Sequence, residues 1–249
     1  GGYGTPMALM MFPYFTDGCI GSQEGLYFES SATVPYHFYM QAELSTQGSN
    51  PQRDLVYPTL DLDTGVRHMQ LLGVRYYLAS TSQAIDAAGR HPDLTEVAVS
   101  GPWHIYRVHD AATVSPLRYQ PVVAEGIDES QQGWLPTMGA WFLDPNALDV
   151  PLTDRGPASW KRTTARPVPE AERRFVIWAR GQLGYSGAID KVPGLPRVEV
   201  PKVKVTNIHQ GRDSISFDVS RVGVPVLVKT SYFPNWKATG AKGPYRLAP

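Results

Sequence analysis

Proline sets the terms on which this chain folds. The sequence holds 22 prolines and 23 glycines in 249 residues, and one or the other interrupts nearly every segment. Proline has no backbone donor and a fixed φ, so it ends helices and is confined to the edges and bulges of sheets. Long helices are therefore scarce and turns many. The fold expected from this punctuation is α+β and β-rich, built from short elements.

The C-terminal part is the most regular. Val198-Glu-Val-Pro-Lys-Val-Lys-Val-Thr206 alternates apolar and polar residues, as does Ser214 to Ser220 after a Gln210-Gly-Arg-Asp turn. Val224 to Ser231 adds a third strand. Three such strands predict an antiparallel, jelly-roll-like β-sandwich with one face buried. Residues 60–110 predict a small α/β layer. Asp61 to Leu72 reads as an amphipathic helix with Asp63 or Thr64 as its N-cap, stopped by Gly73. Val74 to Ala79 is a strand, and Ser82 to Ala88 a helix capped by Ser80, Thr81 or Ser82. Leu94–Ser100 and Trp103–His109 form a hairpin through Gly101-Pro102. Val114 to Gly126 reads as a strand broken by Pro116 and Pro121. Residues 127–170 are the least regular, with a short helix over Trp134–Phe142 and a turn at Asp144-Pro-Asn146. Two parts follow: 1–112, an α/β part with a Gly- and aromatic-rich loop, and 113–249, the sandwich, with an irregular insertion near 127–196.

Charge narrows the function. Lys+Arg 23 balances Asp+Glu 23, so the basic excess of a nucleic-acid binder is absent. The same balance gives no support for adsorption on an anionic membrane. Lys161, Arg162, Arg166, Arg173 and Arg174 form a local basic cluster, read first as a solvated face; a face toward anionic lipid or a lipid-phosphate sugar donor is the second reading. The single cysteine, Cys19, forbids an intrachain disulfide. No apolar run reaches the roughly 18 residues of a membrane span. The start, Gly1-Gly-Tyr-Gly, shows no leader pattern. A processed chain, or a soluble piece of a longer one, is expected.

Pro6 to Phe15 is almost wholly apolar and predicts one or two helical turns, packed in a core or facing a membrane, with core packing expected. The loop that follows places Gly18, Gly21 and Gly25 at spacings that fit neither a P-loop nor a dinucleotide fingerprint, so no nucleotide cofactor is expected. Asp17, Glu24 and Glu29 lie among Tyr27, Phe28, Tyr36, His37 and Tyr39. Rings stack on the C–H faces of sugars while carboxylates accept hydroxyl hydrogen bonds. The competing reading is that these groups cap turns. Glu24 and Glu29 would serve a glycosidase only at a separation of roughly 5 to 9.5 Å. His37 has no second His or Cys at ligand spacing, so no metal is expected there and a structural role is. Tyr232, Phe233 and Trp236 cluster around Pro234 and Asn235 after the last strand. Their rings either close the core or offer a flat apolar face to a ligand.

Three collinear stretches carry a family resemblance. They are "GTPMALMMFPYFTDGCIGSQEGLYFESSATVPYHF", "GVRHMQLLGVRYYLAS" and "DSISFDVSRVGVPVLVKTSYFPNWKA". Together they resemble the extracytoplasmic domain of actinobacterial multi-pass membrane proteins of the GT-C and YfhO-like glycosyltransferase type, the group labelled pyruvoyl-tetrahydropterin-synthase-related. The resemblance implies a domain on the outer face of the cell membrane that assists recognition or assembly of cell-envelope glycan. Its implied partners are an envelope glycan or lipid-linked sugar, its own transmembrane bundle and envelope proteins. Trp236, Tyr232, Glu24, Glu29, Tyr27 and His37 are the candidate glycan contacts. In that family the transferase carboxylate lies in a loop between membrane helices. No position here matches that loop, so no catalytic residue is assigned and this stretch alone is expected to be inactive. The alternative is a scaffold or dimerisation domain of an envelope complex, with Met7 to Phe15 as its adhesive surface.

Overall fold

The computed structural model describes residues 11–20, 34–46, 48, 57–127, 131–164, 174–177, 183–186 and 194–246. Its elements are short, as the prolines require. The helices are α1 (Phe12–Phe15), α2 (Val34–Leu44), α3 (Leu62–Leu72), α4 (Ser82–Arg90) and α5 (Gln131–Phe142). The strands are β1 (Tyr76–Ala79), β2 (Leu94–Ser100), β3 (Trp103–Val108), β4 (Val114–Pro116), β5 (Val122–Glu125) and β6 (Leu152–Thr153). They continue with β7 (Arg162–Thr164), β8 (Arg174–Ile177), β9 (Leu183–Ser186), β10 (Val205–Gln210), β11 (Ile215–Val219) and β12 (Val226–Val228). The fold is α+β and β-rich, with its strands in small, mostly antiparallel sheets.

The layer expected over residues 60–110 is present. The sheet order is β1-β3-β2, antiparallel throughout. Its Tyr77, Ala79, Tyr106 and Val108 pack with Val66 and Met69 of α3 and Ala84 and Ala88 of α4. The N-cap of α3 is Asp61, two residues before Asp63 and three before Thr64, the positions the sequence pattern suggests. Its Oδ1 accepts from the Thr64 backbone N–H at 3.2 Å and its Oδ2 accepts from the Thr64 hydroxyl at 2.8 Å. Both candidates named from sequence thus lie inside the first turn, and Thr64 is the capped residue. Thr81 caps α4 by accepting from the Ala84 N–H. Gly73 ends α3 at φ 73°, a left-handed conformation that favours glycine.

The second half departs from one continuous sandwich. β10 pairs with β11 across the predicted turn, but β12 pairs with β4, more than a hundred residues earlier in the chain. The turn at Gly223, φ 77°, followed by Pro225, lies between the two pairs. The stretch from Arg197 to Lys204 stays outside the regular strands, where Pro196 and Pro201 interrupt it. It still touches the earlier strand region through the Tyr119–Glu199 bridge. A parallel sheet, β6-β5-β7, completes the middle of the chain, and β8 pairs with β9.

The Val34–Leu44 helix was not legible from the sequence, where it reads as the end of an aromatic loop. It is buried on nearly every side: Tyr36, Phe38, Tyr39, Met40 and Ala42 are all buried. A helix apolar all round shows no stripe to detect. α2 feeds both cores. Tyr36 and Tyr39 pack against Trp141 and Phe142 of α5, while Met40 joins the cluster under the β1-β3-β2 sheet. The Trp141 indole N–H donates to the Ala147 and Val150 carbonyls at 3.2 and 3.0 Å, which fixes the chain after α5.

One expectation is overturned. The apolar segment ending at Phe15 does not pack into a core over its described part: α1 has no buried residue, and Tyr14 and Phe15 are 76% and 74% exposed.

Candidate functional site

The Ser231–Trp236 turn follows β12 directly and is closed by its own hydrogen bonds. The Trp236 backbone N–H donates to the Phe233 carbonyl at 3.0 Å, and its indole N–H donates to the Ser231 carbonyl at 3.2 Å. Pro234 fixes φ in the middle of this loop. Trp236 and Tyr232 are left half-buried and Phe233 is 62% exposed. The rings therefore stand on a rigid turn and do not close a core.

Arg246 connects this turn to the middle of the chain. Its guanidinium lies 5.6 Å from the Tyr232 ring centroid, and its Nε is 3.5 Å from Asp154 Oδ2. The Asp154 backbone N–H also donates to the Arg246 carbonyl at 3.3 Å, so the two segments run side by side. Next to them Trp160 and Tyr245 meet edge to face at 5.1 Å. Asp154 Oδ1 and Arg246 Nε are themselves buried and make no hydrogen bond, while other parts of both side chains remain partly open to solvent. The Arg246 charge reaches inward as well. Burial holds the Tyr36 hydroxyl in its protonated form, well above the usual tyrosine range, and Arg246 opposes that shift.

The arrangement combines half-buried rings with a guanidinium and a carboxylate whose side chains are each partly open to solvent. Such groups suit a polyhydroxylated ligand, whose C–H face stacks on a ring while its hydroxyls both donate and accept. Nothing in it supplies a nucleophile held by a base. Among the described residues no group of three or more His, Cys, Asp or Glu residues could hold a metal ion.

Of the residues singled out from sequence, Tyr232 and Trp236 share this turn. His37 lies on α2, half-buried, with its ring tilted against Phe38 at 5.5 Å. It belongs to a different element from the turn. Glu24, Tyr27 and Glu29 lie outside the described residues. Asp154, Trp160, Tyr245 and Arg246 are the members that sequence reasoning missed. Only the folded chain brings residues near 155 beside residues near 245. Within the basic cluster, Arg162 pairs with Glu125 at 2.9 Å and donates to the Ala158 and Trp160 carbonyls. That residue is committed to the local fold.

A second polar group lies under the helices. His68 Nδ1 is 2.6 Å from Glu43 Oε2, and His68 Nε2 is 2.8 Å from the Phe142 carbonyl oxygen. The His68 ring stacks on Phe142 at 3.6 Å. Both side chains are closed to solvent, so the pair joins α2, α3 and α5 and offers no ligand a way in. Burial raises the Glu43 carboxyl above its ordinary value, and the hydrogen bond and charge of His68 oppose that. Glu43 Oε1 has no hydrogen-bond partner.

No protein-family model, curated protein or solved structure matches this chain.

Proposed function

We propose that this chain is the extracytoplasmic, glycan-recognising part of a membrane glycosyltransferase-like protein, with transfer chemistry carried elsewhere in that protein. The observation that carries the reading is Arg246, which lies over Tyr232 and against Asp154 at one partly open surface. Aromatic faces beside a donor and an acceptor are the chemistry by which sugars are held. The three stretches that resemble the membrane glycosyltransferase type supply the cell-envelope setting, and the third contains Tyr232 and Trp236 themselves. Among the described residues no helix is long and apolar enough to cross a membrane; under this reading, anchoring belongs to the parent protein's own bundle.

The test is calorimetric titration of the chain with cell-envelope oligosaccharides. Wild type is expected to bind, and Trp236→Ala and Tyr232→Ala to weaken binding by about three- to tenfold each, the worth of one aromatic contact. Equal binding by all three proteins removes the aromatic surface from the account.

A further inference from the structure

The α1 turn carries the two most exposed aromatic side chains among the described residues. Tyr14 and Phe15 project from it 76% and 74% exposed, and Met11 and Ile20 are each 47% exposed. The two rings meet edge to face at 5.3 Å. The turn that holds them is well fixed. The Gly18 N–H donates to the Pro13 carbonyl at 2.8 Å and the Asp17 N–H to the Tyr14 carbonyl, the pair of bonds that closes a helix C-terminus. Asp17 takes the left-handed position at φ 51°, which aspartate tolerates better than most residues. The Thr16 hydroxyl donates to the Phe12 carbonyl at 2.6 Å and accepts from the Ile20 N–H. Two large rings are thus presented to water on a braced turn.

Two observations choose the occupant of this surface. First, within the described Met11–Ile20 turn Asp17 is the one charged side chain, so the turn itself supplies little of the polar rim that borders a protein interface. Second, the four side chains together expose on the order of 500 Å², taking 150–250 Å² for each ring. A stable protein interface needs about 800 Å² from each partner. A lipid bilayer sets no such minimum and favours uncharged aromatic side chains at the headgroup level.

We infer that the Met11–Ile20 turn seats in the interfacial layer of a lipid bilayer, with Tyr14 and Phe15 as the inserted rings. The contact is hydrophobic, so it does not depend on anionic lipid. It goes beyond glycan recognition and does not rest on it.

Cys19, the one cysteine of the sequence, is exposed in this same turn and serves as a native labelling site. The experiment attaches a polarity-sensitive fluorophore there and titrates the full chain with zwitterionic phosphatidylcholine vesicles, with flotation of unlabelled protein alongside. A saturable blue shift, the same at low and high salt, is expected. Tyr14→Ser/Phe15→Ser should lower partitioning at least about tenfold while leaving the oligosaccharide titration unchanged, since neither ring is part of that surface. Absence of binding overturns the inference, as does equal binding by the variant. Self-association in sedimentation that depends on the two rings overturns it in favour of a protein interface. Loss of oligosaccharide binding by Tyr232→Ala with vesicle binding intact, or the reverse, separates this contact from glycan recognition.

Discussion

His68 and Glu43 meet at 2.6 Å, Nδ1 to Oε2, while the other ring nitrogen of His68 faces the Phe142 carbonyl oxygen at 2.8 Å. A carbonyl only accepts, so Nε2 carries a hydrogen. One proton then lies between Nδ1 and Oε2, and the pair is neutral overall wherever that proton sits. This is how two ionisable groups are held in a site closed to water.

Removing one partner should be far more costly than changing the charge. His68→Ala leaves Glu43 buried without its partner, opens a cavity against Phe142 and frees a carbonyl. A loss of about 3–5 kcal/mol is expected. Glu43→Gln keeps a donor toward Nδ1 and should cost under about 1.5 kcal/mol. Urea denaturation of the two variants checks this, and equal losses would show that the pair is not the joint between α2, α3 and α5.

The same pair gives stability a pH dependence. Burial raises the folded-state value of Glu43 above its ordinary 4.5. The folded chain therefore holds this proton more tightly than the unfolded chain does. The stability contributed by Glu43 is full below about 4.5 and declines as pH rises through the raised folded value, by at most about 1.4 kcal/mol per pH unit. The difference in unfolding free energy between wild type and Glu43→Gln should shrink as pH rises from about 4.5. A constant or widening difference would contradict it.

Gly73 gives a backbone prediction. At φ 73° it ends α3, and a Cβ there would lie 3.1 Å from the Lys229 Cβ. Lys229 packs over it and donates from Nζ to the Gln70 carbonyl at 2.6 Å. Gly73→Ala should cost about 1–2 kcal/mol for the left-handed conformation, and Gly73→Asn less, because asparagine tolerates that conformation. Thermal melts of both variants distinguish the causes. Equal losses would show that the approach of Lys229, and not φ, controls the site.

What the sequence revealed follows from the range of the forces involved. The Asp61–Val108 helices, strands and hairpin were legible because Gly73, Thr81 and Gly101-Pro102 act on their immediate neighbours. α2 was not, because its burial on nearly all sides leaves no periodic stripe. The placement of β12 beside β4 depends on where the chain goes after Gly223, which no local pattern encodes. The site was half legible for the same reason. Tyr232 and Trp236 stand out as rings locked by Pro234, whereas Arg246 and Asp154 gain their meaning only when residues some ninety positions apart are brought together. The exposed rings of α1 show the opposite failure: a run of apolar residues suggests burial, and hydropathy alone does not reveal that the chain presents it outward.

The most direct measurement of glycan recognition is saturation-transfer NMR on cell-envelope oligosaccharides mixed with the wild-type chain, Tyr232→Ala and Arg246→Ala. Transfer concentrated on one C–H face of the sugar with wild type, and reduced about three- to tenfold in both variants, is the predicted result. No transfer from any of the three proteins, or equal transfer from all of them, would contradict the account.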